Sequence, residues 1–107
     1  MTFTEYQHKA QRTANMEAQS DKIINGIMGL CGEVGEGAAV VKKHLFQGHE
    51  IEKAKLLEEI GDVLWYCAEL AAGLGMSLEV IAEANVEKLQ KRYTKGFEAE
   101  RSRNRNE

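Results

Sequence analysis

The chain has 107 residues and a formal net charge of −3, so no basic field favours binding to nucleic acid. This length suffices for one small domain, which leaves much apolar surface uncovered, so a partner subunit is expected. The two cysteines are too few for a disulfide framework and no signal peptide is recognisable, so free thiols favour the cytoplasm.

The first two helices are predicted from their caps and their apolar spacing. The first covers about residues 4–16, and Thr2 and Glu5 have the spacing of a capping box at its start. The second begins after residue 20 or 21 and reaches about residue 46, where Gly48 ends it. Within it, the apolar run 23–41 contains five glycines, an asparagine and two glutamates, so we expect no membrane span.

Two further helices follow at short intervals. The third begins at about residue 50 or 52 and reaches residue 74, where Gly73 and Gly75 stop it. The fourth is capped by Ser77 and continues to about residue 93. No segment alternates with a period of two, so we expect no sheet.

Short loops between long helices predict an all-α fold, an antiparallel four-helix bundle assembled as a dimer or tetramer. We place one domain at residues 1–97. Residues 98–107 contain no large apolar side chain, so a charged, disordered tail is predicted there.

Two glutamates, Glu33 and Glu36, are the only charged side chains between residues 23 and 41. On an ideal helix they lie about 60° apart, away from a wide apolar stripe. That stripe contains Ile24, Ile27, Cys31, Val34, Ala38, Val41 and Leu45. A desolvated charge needs a partner or a metal ion, so we expect the carboxylates to point into a site. Both cysteines lie on apolar stripes and are expected in the core.

The third helix offers a second acid pair at the same spacing, Glu59 and Asp62, with Glu58 and Glu69 nearby. Antiparallel packing would bring the two pairs together, and clustered carboxylates repel strongly unless a cation is present. Oxygen ligands select hard cations, namely magnesium, manganese or calcium. The sequence therefore predicts a metal site between these helices.

The fourth helix places Asn85 in the middle of an apolar face, with Arg92 on the same side and Lys88 beside it. An amide next to cations suits a phosphate or a base edge. Acids that hold a metal ion and cations that hold phosphates together predict a site for a nucleotide polyphosphate.

Each of these signals also has a purely structural interpretation. Acid pairs three residues apart are usually solvated, and Asn85 can fix the register of a bundle. Lys88 and Arg92 can form a solvated helix end that the helix dipole favours. Trp65 more often packs in a core than stacks on a base. The residues alone leave these alternatives open.

Three segments in order, GEVGE at 32–36, EEIGDVLWY at 58–66 and ANVEKLQKRYTKGF at 84–97, resemble the MazG-like nucleotide pyrophosphohydrolases of the all-α NTP pyrophosphatase group. That family's signature is E-x-x-E, a spacer and E-x-x-D, which Glu33, Glu36, Glu59 and Asp62 match. The opening YQHKAQRTA is similar to the first helix of small single-domain members, phage-type ones included.

The resemblance implies magnesium-dependent hydrolysis of nucleoside triphosphates to the monophosphate and pyrophosphate, in nucleotide-pool house-cleaning, by a homodimer or homotetramer. Manganese is a possible substitute. The four signature acids would hold the metal, and Glu36 and Glu59 are the candidates for the general base. The implied phosphate contacts are Asn85, Lys88, Arg92 and Tyr93, and Trp65 is the candidate for contacting the base.

Other functions compatible with these segments are kept open. A dUTPase and a phosphoribosyl-ATP pyrophosphatase belong to the same structural group and have narrower substrates. A non-catalytic helical adaptor or a metal-stabilised bundle would have the acids without the reaction.

Overall fold

The computed structural model describes residues 1–94 and 99–104, and every regular element in them is an α-helix, which confirms the all-α class for this part of the chain. The helices are α1 (Phe3–Gln11), α2 (Gln19–Phe46), α3 (Lys53–Gly73), α4 (Leu78–Arg92) and α5 (Ala99–Arg103). The short α5 lies in the segment predicted to be a disordered tail. Residues 98 and 105–107 of that segment lie outside the described residues.

Several helix ends are formed by the residues that predicted them. The hydroxyls of Thr2 and Ser77 each accept a hydrogen bond from a backbone N–H in the first turn of α1 and α4, at 3.1 Å. Gly48 and Gly75 follow α2 and α3 with φ of 73° and 69°. These left-handed conformations favour glycine.

The first helix ends at Gln11, so the predicted end near residue 16 is wrong. The Thr13 hydroxyl donates a hydrogen bond to the Ala10 carbonyl at 2.7 Å, and the Thr13 amide bonds to the same oxygen at 3.0 Å. Side chains that bond to nearby backbone in this way compete with helical hydrogen bonds. The hydroxyl therefore helps to close α1 five residues before the predicted end at Met16.

The second and third helices form an antiparallel hairpin with a seam of glycines. Gly26 lies against Leu70, and a Cβ atom at Gly26 would come within 2.8 Å of the Leu70 Cβ. At the same end, a Cβ at Gly73 would come within 2.8 Å of the Ile23 backbone nitrogen. The helices therefore approach more closely than side chains at these positions would allow.

The four long helices confirm the all-α, four-helix architecture, but not every neighbouring pair is antiparallel as predicted. The antiparallel part is the α2–α3 hairpin, because α4 meets α3 at a bend of 103° and α1 packs against both α3 and α4. The turn causes this bend. Met76 and Gly75 donate their backbone N–H groups to the carbonyls of Ala71 and Ala72, at 2.9 and 3.0 Å, which is a Schellman motif.

One carboxylate, Glu69 on α3, is fully buried and connects three helices. It accepts hydrogen bonds from Gln11 of α1 at 3.0 Å and from Asn25 of α2 at 2.8 Å, and it forms an ion pair with Lys22 at 3.3 Å. Burial alone would raise its pKa, but these three donors together hold the pKa of Glu69 below its ordinary value. Glu69 is therefore ionised and saturated with donors, and it takes no part in the acid pairs.

Much apolar surface of the described chain remains in contact with solvent. The wide apolar stripe of α2 faces outward, since Ile24, Val34 and Leu45 are 55–62% exposed. Cys31 is exposed as well, which corrects its predicted place in the core, whereas Cys67 packs against the core cluster. Gly26 and Gly29 of α2 lie against Leu70 and Tyr66 of α3 instead, because the absence of a side chain permits this close approach. The radius of gyration is 16.9 Å, against about 13 Å for a compact domain of this length.

Among the described helices, none alone has the length and apolar composition to cross a membrane. Only α3 and α4 taken together pass that test, and they meet at the 103° bend.

We expect Glu69→Gln to lower the free energy of unfolding at pH 7 by about 3 kcal/mol, because it removes one partner from a buried charged network. Since the folded-state pKa of Glu69 lies below the unfolded value, its contribution is complete above that unfolded value, which is 4.5. It is lost as pH falls through the folded-state pKa.

Urea unfolding at pH 7 and at pH 3 measures both effects. The difference between wild type and Glu69→Gln is expected to shrink at pH 3. Glu83→Gln, at an exposed position of α4, is the matched control and should match wild type at both pH values. Equal stability of the Glu69 variant and wild type at pH 7 would contradict the role given to this carboxylate.

Candidate metal centre

The hairpin brings three of the four signature acids together. One carboxylate oxygen from each of Glu33, Glu59 and Asp62 lies within 4.8 Å of the other two. Glu33 comes from α2 and the others from α3, so the antiparallel register assembles the group. Glu59 is buried, Glu33 is half-buried and Asp62 is exposed, so the group opens to solvent on one side.

The neighbouring carboxyl groups shift the pKa of Glu59. The pKa of Glu59 is raised, first because its protonated form donates a hydrogen bond to Glu33, then by burial and by repulsion from Glu33 and Asp62. A hydrogen bond with Glu36 acts in the opposite direction. The centre therefore holds more negative charge than it can neutralise with its own groups.

Two oxygens in the centre are buried without a partner. The Oε2 atoms of Glu33 and Glu59 have no hydrogen bond to any described residue. A buried acceptor without a donor is costly, and a hard cation would satisfy both atoms. The all-oxygen donor set is the one such cations prefer, so these residues fit a divalent metal ion. Glu36 is exposed and lies outside the group of three, although it reaches Glu59.

A cavity of about 330 Å³ adjoins the acids and is lined by Glu33, Asp62, Trp65 and Tyr66. The two aromatic rings meet edge to face, with centroids 5.1 Å apart and an interplanar angle of 84°. Gly29 makes room for the Tyr66 ring, because a Cβ atom at that position would overlap it. The cavity therefore combines carboxylates on one wall with an aromatic corner on the other.

A second cavity, of about 310 Å³, adjoins the same acids. Apart from Glu33 and Glu59 its lining is apolar or glycine, and it consists of Val34, Gly37, Leu56, Ile60 and Val63. The acid group thus has a polar, aromatic cavity and an apolar one.

The candidate phosphate contacts lie elsewhere on the described chain. Asn85 and Lys88 are exposed on α4, and Arg92 and Tyr93 are half-buried at its end. None of the four lines the cavity with Trp65, as far as the described residues define it. Their roles stay predictions, whereas Trp65 does lie beside the acids.

Sequence reasoning did not identify Thr13 and Tyr6 of the N-terminal segment as residues that lie near the candidate centre. Trp65 donates its indole N–H to Thr13 Oγ1 at 2.8 Å and to the Ala10 carbonyl at 3.2 Å. Tyr6 of α1 packs against the same core cluster as Trp65, and burial, followed by the charge of Asp62, raises the pKa of its hydroxyl. No local pattern marks these residues, because their partners are more than 50 positions away.

Comparison with known proteins identifies a family and a relative. The profile described as the MazG nucleotide pyrophosphohydrolase domain matches residues 22–97. A relative named Gene 37 protein, from Mycobacterium phage L5, is 38% identical over 100 residues, which cover 85% of this chain and 88% of the relative. No solved structure matches the chain.

We expect Glu59→Gln to raise the melting temperature of the EDTA-treated protein at pH 8, because an amide at this position removes one repelling charge and can donate to Glu33. An acid with a raised folded-state pKa contributes stability below its unfolded value and loses it as pH rises through the folded-state value. The advantage of the variant should therefore disappear at pH 4.

Thermal unfolding with and without a millimolar divalent cation completes this test. The cation should stabilise wild type by binding its native state and should stabilise Glu59→Gln much less. Glu58→Gln, its exposed neighbour, is the control and should respond like wild type. Equal stabilisation of all three proteins would show that Glu59 is not a ligand.

Proposed function

The chain belongs to the MazG nucleotide pyrophosphohydrolase family, and from this we propose that it hydrolyses nucleoside triphosphates to the monophosphate and pyrophosphate. One observation carries the proposal: the group of Glu33, Glu59 and Asp62, with two unpartnered buried oxygens, opens onto a cavity with aromatic walls. We propose nucleotide-pool house-cleaning in the cytoplasm as its role.

Glu33, Glu59 and Asp62, with Glu36 at their edge, would hold magnesium, or manganese in its place. When bound, such an ion neutralises phosphate charge and makes water a stronger nucleophile. The hardness of the donor set supports this choice of metals. The unpartnered oxygens of Glu33 and Glu59 support the choice of ligands.

Glu36 and Glu59 are the candidates for the residue that takes the proton from the attacking water. Glu36 is exposed to solvent and lies outside the group of three, so its carboxylate is the freer of the two to accept a proton. Glu59 is buried and faces Glu33, which supports a ligand role first.

Substrate contacts are proposed on both sides of the reacting phosphorus. Trp65 would contact the base from the wall of the cavity. Asn85, Lys88, Arg92 and Tyr93 would bind phosphate oxygens, a proposal that rests on their chemistry and on the resemblance of segment 84–97.

A homodimer or homotetramer is proposed as the functional form. Exposed apolar side chains on α2 and α3, the apolar cavity beside Glu59 and the large radius of gyration support it. Equilibrium sedimentation at micromolar concentration is expected to give two or four chains per particle. A monomer under these conditions would contradict the proposed oligomer but would not contradict the proposed hydrolysis.

We expect turnover of a nucleotide panel with magnesium to release pyrophosphate, and oxygen-18 water to label the monophosphate. The label follows from attack on the α-phosphorus. Asp62→Asn should lower kcat/KM about 100-fold or more, because ligands of a catalytic metal stabilise the transition state. Glu58→Gln should retain wild-type activity, since Glu58 is exposed and lies outside the group.

Mass spectrometry of the products and a pyrophosphate assay measure these effects. Label in inorganic phosphate with a diphosphate product would identify a phosphatase instead. Full activity in excess EDTA would contradict the metal. Turnover of deoxyuridine triphosphate alone, or of phosphoribosyl-ATP alone, would indicate the corresponding enzyme with the narrower substrate. Binding of the ion without turnover of any nucleotide would indicate a helical adaptor or a metal-stabilised bundle.

A further inference from the structure

The indole nitrogen of Trp65 is held by the end of α1. Its N–H group donates to Thr13 Oγ1 at 2.8 Å and to the Ala10 carbonyl at 3.2 Å. The Thr13 hydroxyl donates in turn to that carbonyl at 2.7 Å, which leaves its lone pairs for the indole. The three groups form a closed hydrogen-bonded triangle, so the orientation of the ring is fixed from its nitrogen edge.

The end of α1 is itself firmly placed. Gln11 donates to the buried Glu69 at 3.0 Å. The Gln7 side chain accepts from the Leu78 amide at 2.8 Å and donates to the Met76 carbonyl at 3.1 Å. Because α1 is tied to both α3 and the start of α4, it is a rigid support for Trp65.

Because the indole N–H of Trp65 already donates to Thr13 and Ala10, it is not available for a hydrogen bond to a ligand. Its polar edge is used by Thr13 and Ala10, so the part of the ring that lines the cavity can contribute only its π surface and apolar edge. Every nucleobase has a π face, and stacking on an aromatic ring tolerates all of them. A ring held in this way therefore favours binding of a base without selecting its identity.

We propose that Thr13, with the Ala10 carbonyl, positions Trp65 as the wall on which the nucleobase stacks, so that the segment preceding the shared domain contributes to substrate binding. This inference rests on the proposed function. The family profile begins at residue 22, and both residues lie before it. Thr13 is a positioning residue, because it acts through Trp65 and does not touch the cavity.

The test uses Thr13→Val, which removes the hydroxyl and keeps the branched shape, and Thr13→Ser, which restores the hydroxyl. Thr4→Val is the matched control. Thr4 lies on α1 itself, and its hydroxyl donates to Glu79 of α4 at 3.2 Å, whereas the indole of Trp65 donates to Thr13 and Ala10. It measures the effect of loosening α1 without touching the indole.

Trp65 is the only tryptophan of the chain, so fluorescence excited at a wavelength that tyrosine does not absorb reports on this wall alone. Four α,β-imido deoxynucleoside triphosphates, each added with magnesium, should quench wild-type fluorescence with similar affinities. Tripolyphosphate, which has no base, should bind competitively without comparable quenching. Thr13→Val should weaken the affinity for the analogues, and raise KM for triphosphates, about fivefold, the lower end of what base stacking contributes.

Further results are expected for Thr13→Val and for the two comparison variants. In Thr13→Val, kcat and the affinity for tripolyphosphate should stay within about twofold of wild type, because only stacking is impaired. Thr13→Ser and Thr4→Val should bind the analogues like wild type. Equal weakening of tripolyphosphate and the analogues in Thr13→Val, or the same loss in Thr4→Val, would overturn the inference and indicate a structural role.

The two proposals fail in different ways. Turnover in wild type that is unaffected by Thr13→Val would overturn the positioning of Trp65 and leave the pyrophosphohydrolase intact. Quenching by the analogues that weakens in Thr13→Val, without any turnover, would support the stacking wall and overturn the reaction. Absence of both quenching and turnover would overturn both.

Discussion

The placement of α1, α2 and α3 depends on the buried carboxylate of Glu69. A charge removed from water must be compensated by donors, and here the donors are Gln11 of α1 and Lys22 and Asn25 of α2. Each helix therefore supplies part of a network that none can satisfy alone. Since residues at and just after the end of α1 bond to Trp65, the same network contributes to placing the N-terminal segment beside the candidate centre.

Two buried acids of α3, Glu59 and Glu69, have opposite surroundings, which support a structural role for Glu69 and the proposed ligand role for Glu59. Glu69 is saturated with donors, and the pKa of its carboxyl is lowered. Glu59 faces other acids, the pKa of its carboxyl is raised, and one of its oxygens has no partner among the described residues. A fold that needs only stability has no use for the second arrangement, because it costs free energy until a ligand arrives.

The approach of three signature acids could be predicted from the sequence because both acid pairs are local patterns, one of them in an otherwise uncharged run, and an antiparallel hairpin brings the pairs together. Glu69 could not be recognised, since its donors come from two other helices up to 58 positions away. The direction of α4 depends on the Schellman turn at Gly75, which periodicity does not encode. The close approach of α2 to α3 at Gly26 and Gly29 could not be predicted from the apolar stripe, because it depends on which residues of α3 lie opposite these glycines.

The two ends of the α2–α3 hairpin differ in how closely the helices pack. One end has Glu69 and the close contacts of Gly26 and Gly73, whereas residues 41–55, around the connecting loop, are exposed throughout. Backbone amides with little burial open at low free energy, so hydrogen exchange should be fastest there. The acid centre stands between the two ends. A ligand that bridges the helices at Glu33 and Glu59 would oppose separation of the loop end. Binding of that ligand would then slow amide exchange in residues 41–55, which do not contact it.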